Sequence, residues 1–177
     1  AMHTALLDGI AHLLAGRFVR AGKAADGALA QEAALEAAGE KLALGVQVRA
    51  LSHLIAAESA QALQNHTRRD EHLALAMQTT AQVASTQAQE IREGTQLRAA
   101  RWALEDRDAS AALERLEELP QGASRRTLAL RLRLKAARQA RRTREALETA
   151  RLLGKHRAFS AGAAKSIVRG LATEWVN

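Results

Sequence analysis

The residues with the clearest chemical potential in this sequence are the arginines and lysines concentrated in residues 125–157. That stretch holds 12 basic residues against two carboxylates, Glu145 and Glu148, whereas residues 1–124 hold 12 basic and 16 acidic residues. Arg131, Lys135 and Arg138 follow one another at intervals of four and three residues, which places them on one face of a helix. A concentrated cationic face of this kind indicates an anionic partner.

Arg98 and Arg101 are expected at equivalent or adjacent places on the preceding inner helix, so five basic residues would line one groove. The groove is predicted to bind an acidic segment of a protein partner, with Leu97, Leu104 and Leu128 adding apolar contacts. A solvated face that mainly confers solubility is the first alternative, and anionic lipid or nucleic acid is the second. The composition disfavours nucleic acid, because only two Phe and two Trp occur in the chain and base stacking needs aromatic platforms.

Catalytic and metal chemistry find little support in the residues. The absence of cysteine excludes disulfides, thiolate zinc sites and cysteine nucleophiles, and no glycine-rich phosphate loop or serine nucleophile motif occurs. Asp108 is expected to cap a helix rather than act as an acid. We therefore predict a protein that is not an enzyme, with no catalytic residue and no metal ligand.

The histidines suggest one further alternative. His66 and His72 are six residues apart, which does not bring two ligands to one helix face. His12 and His53 are expected on inner helix faces, where each would be a candidate haem ligand. A haem pocket also needs bulky apolar walls, which a chain with four aromatic residues hardly supplies. No cofactor is therefore predicted.

The composition decides the fold class. Alanine, the strongest helix former, accounts for 42 of 177 residues, and the residue types that favour strands are scarce. The chain is predicted to be all-α, in a single domain over residues 1–177. About nine helices are expected, over 3–15, 18–37, 41–63, 66–87, 89–105, 108–119, 124–140, 142–154 and 160–176.

Four similar corners divide these helices into pairs. The corners fall at Gly16, at Gln64-Asn65-His66, at Arg107-Asp108-Ala109 and at Arg141-Arg142-Thr143, and each is followed by a position expected to be buried. These anchor positions are Ala21, Arg69, Ala112 and Ala146, spaced by 48, 43 and 34 residues. Twelve residues before them lie Gly9, Ala57, Ala100 and Leu134. The pairs span roughly 3–37, 41–87, 89–119 and 124–154, and a final helix covers 160–176.

Several local features are predicted from residue type. Gly16 should end the first helix in a left-handed conformation, and Phe18 should fill the corner that follows. Ser124 and Ser160 should cap the seventh and the last helix. The ring of Trp175 should pack against the fourth pair, or its face should drive formation of a homodimer.

The repeated pairs resemble the tetratricopeptide repeat family, whose fold is a right-handed superhelical array of antiparallel helix pairs. Particular runs are similar to the HemY family of proteobacterial inner-membrane proteins encoded beside haem-biosynthesis genes. These runs are Leu6-Leu7-Asp8 to Gly16-Arg17-Phe18, His53 to Ala60 with Arg68 to Leu73, Arg131 to Lys135, and Arg151 to Arg157.

The resemblance implies a non-enzymatic protein-interaction scaffold associated with late haem or porphyrin biosynthesis at the inner membrane. The partner would be a protein with an acidic segment, such as a haem-pathway enzyme. A haem or porphyrin carrier is the alternative. The resemblance also implies that membrane segments absent from this chain anchor the parent protein, with this domain on the cytoplasmic side.

Overall fold

The computed structural model describes residues 2–42, 44–156 and 161–176, and all regular structure in these ranges is helical. The helices are α1 (Met2–Leu14), α2 (Phe18–Ala37), α3 (Gly45–Ala62), α4 (His66–Thr80), α5 (Thr86–Glu105), α6 (Ala109–Glu117), α7 (Gln121–Ser124), α8 (Thr127–Gln139), α9 (Thr143–Lys155) and α10 (Ala161–Val176). The all-α prediction is confirmed. The chain divides into two compact units, Ala1–Thr95 and Gln96–Asn177, with the boundary inside α5.

Two parts of the expected helix pattern are wrong. The helix expected over 66–87 ends at Thr80, and Ser85 accepts a hydrogen bond from the Ala88 backbone N–H at 3.1 Å, at the start of the next helix. The expected cap Ser124 is instead the last residue of α7, a four-residue helix absent from the sequence prediction, and its hydroxyl donates to the Gln121 carbonyl. Ser160 lies outside the described residues.

The four corners share one backbone geometry. Gly16, Gln64, Arg107 and Arg141 all have positive φ, between 58° and 73°. At each corner the next residue donates its backbone N–H to a carbonyl five residues back, as Arg17 does to His12 and Arg142 does to Ala137, both at 2.8 Å. This pattern ends a helix with a left-handed residue and satisfies its last carbonyl groups. The left-handed conformation predicted for Gly16 is therefore confirmed, and it recurs at three non-glycine residues.

The anchor positions are buried as expected. Ala21, Ala112 and Ala146 are fully buried, and Arg69 is 4 % exposed. Each anchor lies five residues after the left-handed residue of its corner. Its backbone N–H donates to the carbonyl of the residue directly after that left-handed residue, as Ala21 does to Arg17. An arginine can be buried at this position because its guanidinium is hydrogen-bonded. Nη1 of Arg69 lies 2.7 Å from Gln61 Oε1, and Nε lies 2.8 Å from Asp70.

In the first unit, α1 and α2 form one hairpin and α3 and α4 form another, and α3 also packs against α2. The core combines alanines of α2 with larger residues of α1 and α3, among them Leu6, Ala25 and Ile55. A Cβ added to Gly9 would lie 3.4 Å from Ile55 Cγ2, so the small residue permits the close approach of α1 and α3. Between α2 and α3, Arg49 donates to the buried Glu32 at 2.9 Å and to Glu36 at 2.9 Å.

In the second unit, α9 packs against both α8 and α10. Leu134 of α8, Leu153 of α9 and Leu171 of α10 belong to one apolar core, with Ile167 and Val168 packed against it. Through these residues α10 covers part of the α8–α9 hairpin. Trp175, expected either to pack its ring against the fourth pair or to form a homodimer face, is 65 % exposed.

No helix in the described ranges combines the length and the apolar character needed to cross a bilayer.

Candidate functional site

The α8 helix presents the predicted cationic face to solvent. Leu130, Leu134 and Ala137 point into the core with α9 and α10. The opposite face carries exposed residues at intervals of three and four, namely Leu128, Arg131, Lys135 and Arg138, which we call the α8 stripe. The helical period of 3.6 residues accounts for both faces. Leu128 is 57 % exposed and so adds an apolar group to the three cations.

The carboxylates of the same hairpin are paired with other arginines. Glu145 accepts from Arg133 at 3.0 Å and lies 3.6 Å from Arg142, and Glu148 lies 3.4 Å from Arg144. Neither Lys135 nor Arg138 forms an ion pair with a residue in the described part of the chain. The two acidic residues of segment 125–157 therefore pair with arginines outside the stripe.

The two remaining predicted site residues lie on α5. Arg98 is half-buried, whereas Arg101 is exposed and places its guanidinium carbon 5.8 Å from the centroid of the Trp102 ring. A shift of 34 residues, the spacing of the last two anchors, aligns Arg101 with Lys135, and both are exposed.

The apolar residues expected beside the groove have different environments. Leu104 is 3 % exposed and belongs to a core with Ala112, Leu113 and Ala136, so the expectation that it contacts a partner is wrong. Leu97 is partly buried against the core that contains Ala100 and Leu116. Only Leu128 of the three offers a largely exposed surface.

A pocket at the start of α9 was not anticipated from the sequence. It has a volume of about 640 Å³ and is lined by Arg133, Arg141, Arg142, Thr143, Arg144, Glu145, Glu148 and Trp175. Arginines predominate in this lining, but three of them are held by the two glutamates. The exposed indole of Trp175 is the apolar wall of the pocket.

In the first unit, two imidazoles face each other across the α3–α4 hairpin. The Nδ1 atoms of His53 and His72 are 3.0 Å apart and their ring centroids 5.2 Å apart, with the rings tilted by 40°. The difference between these two distances is almost the sum of the two ring radii. Each Nδ1 atom therefore lies on the side of its ring that faces the other ring, and the nitrogens point at each other. This arrangement fits a direct N–H···N hydrogen bond in which the two rings adopt opposite tautomers.

The surroundings of this pair disfavour its charged form. The pKa of His53 is lowered to about 4, chiefly by burial and also by the nearby His72 and Arg49, against the opposing effect of Glu32 and Asp26. Burial likewise lowers the pKa of His72, with Arg68 acting in the same direction and Asp26 and Glu71 opposing.

The pairing was missed because His72 was considered only with His66 of the same helix. The available signal was that His53 and His72 lie at near-equal distances from Leu63, where the antiparallel hairpin turns. His53, one of the two histidines considered for haem, is 8 % exposed, and His12 is half-buried. Within the described ranges, no group of three or more His, Asp or Glu side chains could hold a metal ion.

Comparison with protein-family models, with curated proteins and with solved structures finds no match for this chain.

Proposed function

We propose that this chain is a non-enzymatic scaffold of tetratricopeptide-like architecture that binds an acidic segment of a protein partner. The repeated corners support the architecture, since the first helix of each of the four pairs ends at a residue with positive φ and the residue five positions later is buried. Repeat proteins of stacked helix pairs commonly use extended surfaces to bind other proteins.

The observation that carries the binding proposal is the α8 stripe. Three exposed cations and one exposed leucine occupy a single helical face, and the two carboxylates of the hairpin pair with arginines outside that face. An acidic segment with an apolar residue would complement both the charge and the exposed side chain of Leu128.

The magnitudes of the interaction energies show that ion pairs and apolar contacts must both contribute to binding. An exposed ion pair contributes about 0.2–1 kcal/mol, and a micromolar complex needs about 8 kcal/mol. Three cations therefore cannot produce such an affinity alone. Burial of Leu128, together with further contacts along the segment, must add the remainder, while the charges govern association rate and salt sensitivity.

The resemblance to the HemY family extends this proposal to a biological setting. The partner would be an enzyme of late haem or porphyrin biosynthesis, and segments outside this chain would hold the parent protein at the inner membrane. This domain would lie on the cytoplasmic side, where positively charged segments accumulate. A pull-down with the full-length membrane form would identify the partner.

The experiment compares two triple variants that remove the same number of charges. The probe is a fluorescein-labelled peptide of alternating Glu and Leu, measured by anisotropy at low and high salt. Arg131→Ser, Lys135→Ser and Arg138→Ser together should weaken binding and flatten its salt dependence. The control combines Arg125→Ser, Arg151→Ser and Lys155→Ser at exposed positions outside the stripe and should change binding less.

Unchanged affinity of the stripe variant at low salt would contradict the proposal and leave a solvated surface. Binding of RNA or of phosphatidylserine vesicles in place of the peptide would assign the stripe to those ligands. Titration with haemin tests the carrier alternative separately: a stoichiometric Soret shift that disappears in His12→Ala or His53→Ala would establish haem binding and contradict the scaffold.

A further inference from the structure

A second candidate surface lies at the turn end of the first unit, far in sequence from the α8 stripe. Residues Gly16–Arg20, where α1 turns into α2, and Leu63, at the end of α3, line a pocket of about 540 Å³, which we call the turn pocket. Its lining combines one aromatic and two aliphatic side chains with two arginines. Leu14 lies just before it in the chain.

The apolar residues here are unusually accessible. Val19 is 55 % and Leu63 is 50 % exposed, Leu14 is 83 % exposed, and Phe18 is half-buried rather than filling the corner as expected. A single exposed aliphatic residue is ordinary on a protein surface, whereas several around one concavity are typical of a binding site.

The charge of the turn pocket defines the chemistry of an occupant. Arg17 and Arg20 are exposed, no carboxylate contributes to the lining, and neither arginine forms an ion pair with a residue in the described ranges. An occupant that placed an apolar group between Val19 and Leu63 would therefore meet cations at the edge of the pocket. Carboxylates on either side of that apolar group would complement them.

We propose that the turn pocket binds one apolar side chain of a protein segment whose neighbouring residues are Asp or Glu. The apolar side chain enters between Val19 and Leu63, and the flanking carboxylates lie against Arg17 and Arg20. A concave pocket between two helix ends can receive a single protruding side chain, whereas a lipid bilayer presents a flat surface that would not enter it. The proposal concerns a different unit from the α8 stripe and does not rest on the function proposed above.

The probes are three peptides of sequence Gly-Glu-Glu-X-Glu-Glu-Gly, with X as Leu, Phe or Ser, titrated into the ¹⁵N-labelled chain. Amide shifts at residues 16–20 and 63 are expected with Leu or Phe. Removing the apolar side chain in the Ser peptide should weaken binding at these residues about tenfold or more, the effect of burying one Leu or Phe. Replacing the four Glu by Lys should abolish the shifts.

The matched variants are Leu63→Ser and Leu44→Ser, because both leucines are 50 % exposed in the same unit and only Leu63 lines the pocket. Leu63→Ser should weaken the Leu peptide severalfold, and Leu44→Ser should leave its affinity unchanged. Equal effects of the two variants would overturn the proposal.

Two further outcomes would also overturn the proposal. Shifts confined to residues 127–156 would show that the peptide uses the basic hairpin of the second unit. Shifts at residues 16–20 and 63 with phosphatidylserine vesicles, and none with the Leu or Phe peptide, would assign the pocket to a lipid surface.

Discussion

His53 and His72 point their Nδ1 atoms at each other at 3.0 Å, and this contact joins the two helices of the α3–α4 hairpin. One shared hydrogen satisfies both nitrogens as long as at least one of the two rings is neutral. A protonated His53 would bring a cation into a buried site that already contains Arg49 and, near His72, Arg68. The hairpin is therefore built around an uncharged imidazole pair.

Stability should consequently fall as the pH is lowered. The pKa of His53 is about 4 in the folded chain and about 6.5 when unfolded, so the unfolded chain binds more protons between these values. The free energy of unfolding should decrease through this window by up to about 1.4 kcal/mol per pH unit for this group. Urea unfolding at pH 7 and pH 5 measures the change.

The matched variant for this measurement is His53→Leu with His72→Leu, which removes both titrating rings. Its pH dependence between pH 7 and pH 5 should be flatter than that of the parent chain. An equal dependence in the two proteins would show that the pair does not control acid stability.

Alanine at the helix contacts should tolerate no enlargement. Ala57 and Ala100 lie twelve residues before their anchor positions and are fully buried, so Ala57→Leu and Ala100→Leu should each cost about 1–3 kcal/mol by overpacking. Thermal unfolding measures the loss, and Ala30→Leu at an exposed position of α2 is the control. A neutral result at either buried site would contradict the repeat register.

Substitutions at the left-handed corners should change the free energy of unfolding in opposite directions for glycine and non-glycine residues. Gln64→Gly should raise the free energy of unfolding by about 0.5–1 kcal/mol, since the left-handed conformation costs a non-glycine residue about 1–2 kcal/mol. Gly16→Ala should lower the free energy of unfolding by about 1 kcal/mol. Backbone strain is the only cause expected, because Gly16 has a positive φ and an added Cβ meets no atom within 4 Å.

Gly27→Ala is the control for these corner variants, since it lies inside α2 with no atom within 4 Å of an added Cβ and has no positive φ. It should stabilise the chain by about 0.5–1 kcal/mol. Chemical denaturation of the three variants is sufficient, and destabilisation by Gly27→Ala as large as that by Gly16→Ala would refute the explanation by corner strain.

Leu171 and Trp175 of α10 should differ in their effects on stability and association. Leu171 is 2 % exposed in the core with α8 and α9, so Leu171→Ala should cost about 2–5 kcal/mol. Trp175→Ser, at an exposed side chain, should change stability by less than about 0.5 kcal/mol. Sedimentation of Trp175→Ser should show reduced self-association if the homodimer forms through this indole, and the same mass as the parent at all concentrations would exclude that interface.

The helix pairs were predictable because local rules agree with one another. Alanine content, the corner at Gly16 and the small residues near each corner all require helices that approach closely, and the burial of Ala21 and Ala146 follows. Asp108 was also predictable as a cap, and its side chain accepts the Ala111 N–H at 3.0 Å.

Features that depend on packing between helices were not predictable. Leu104 has the same residue type as Leu128, yet one is buried and the other exposed, because burial depends on which neighbouring helix covers each face. The His53–His72 contact joins residues on different helices, so the spacing within α4 does not reveal it, and only the position of both residues relative to the turn at Leu63 points to it. The α7 turn packs Ala123 against Ala100 and Ala129, contacts that its own four residues do not encode.

The order of helix packing also has a consequence for the speed of folding. In each unit, helices pack chiefly against helices that are close to them in sequence, and each corner closes with bonds spanning five residues. Loops of this length lose little entropy on closure, and chains rich in local contacts fold in microseconds to milliseconds. A helical hairpin can therefore assemble soon after its own residues are available, without waiting for distant parts of the chain.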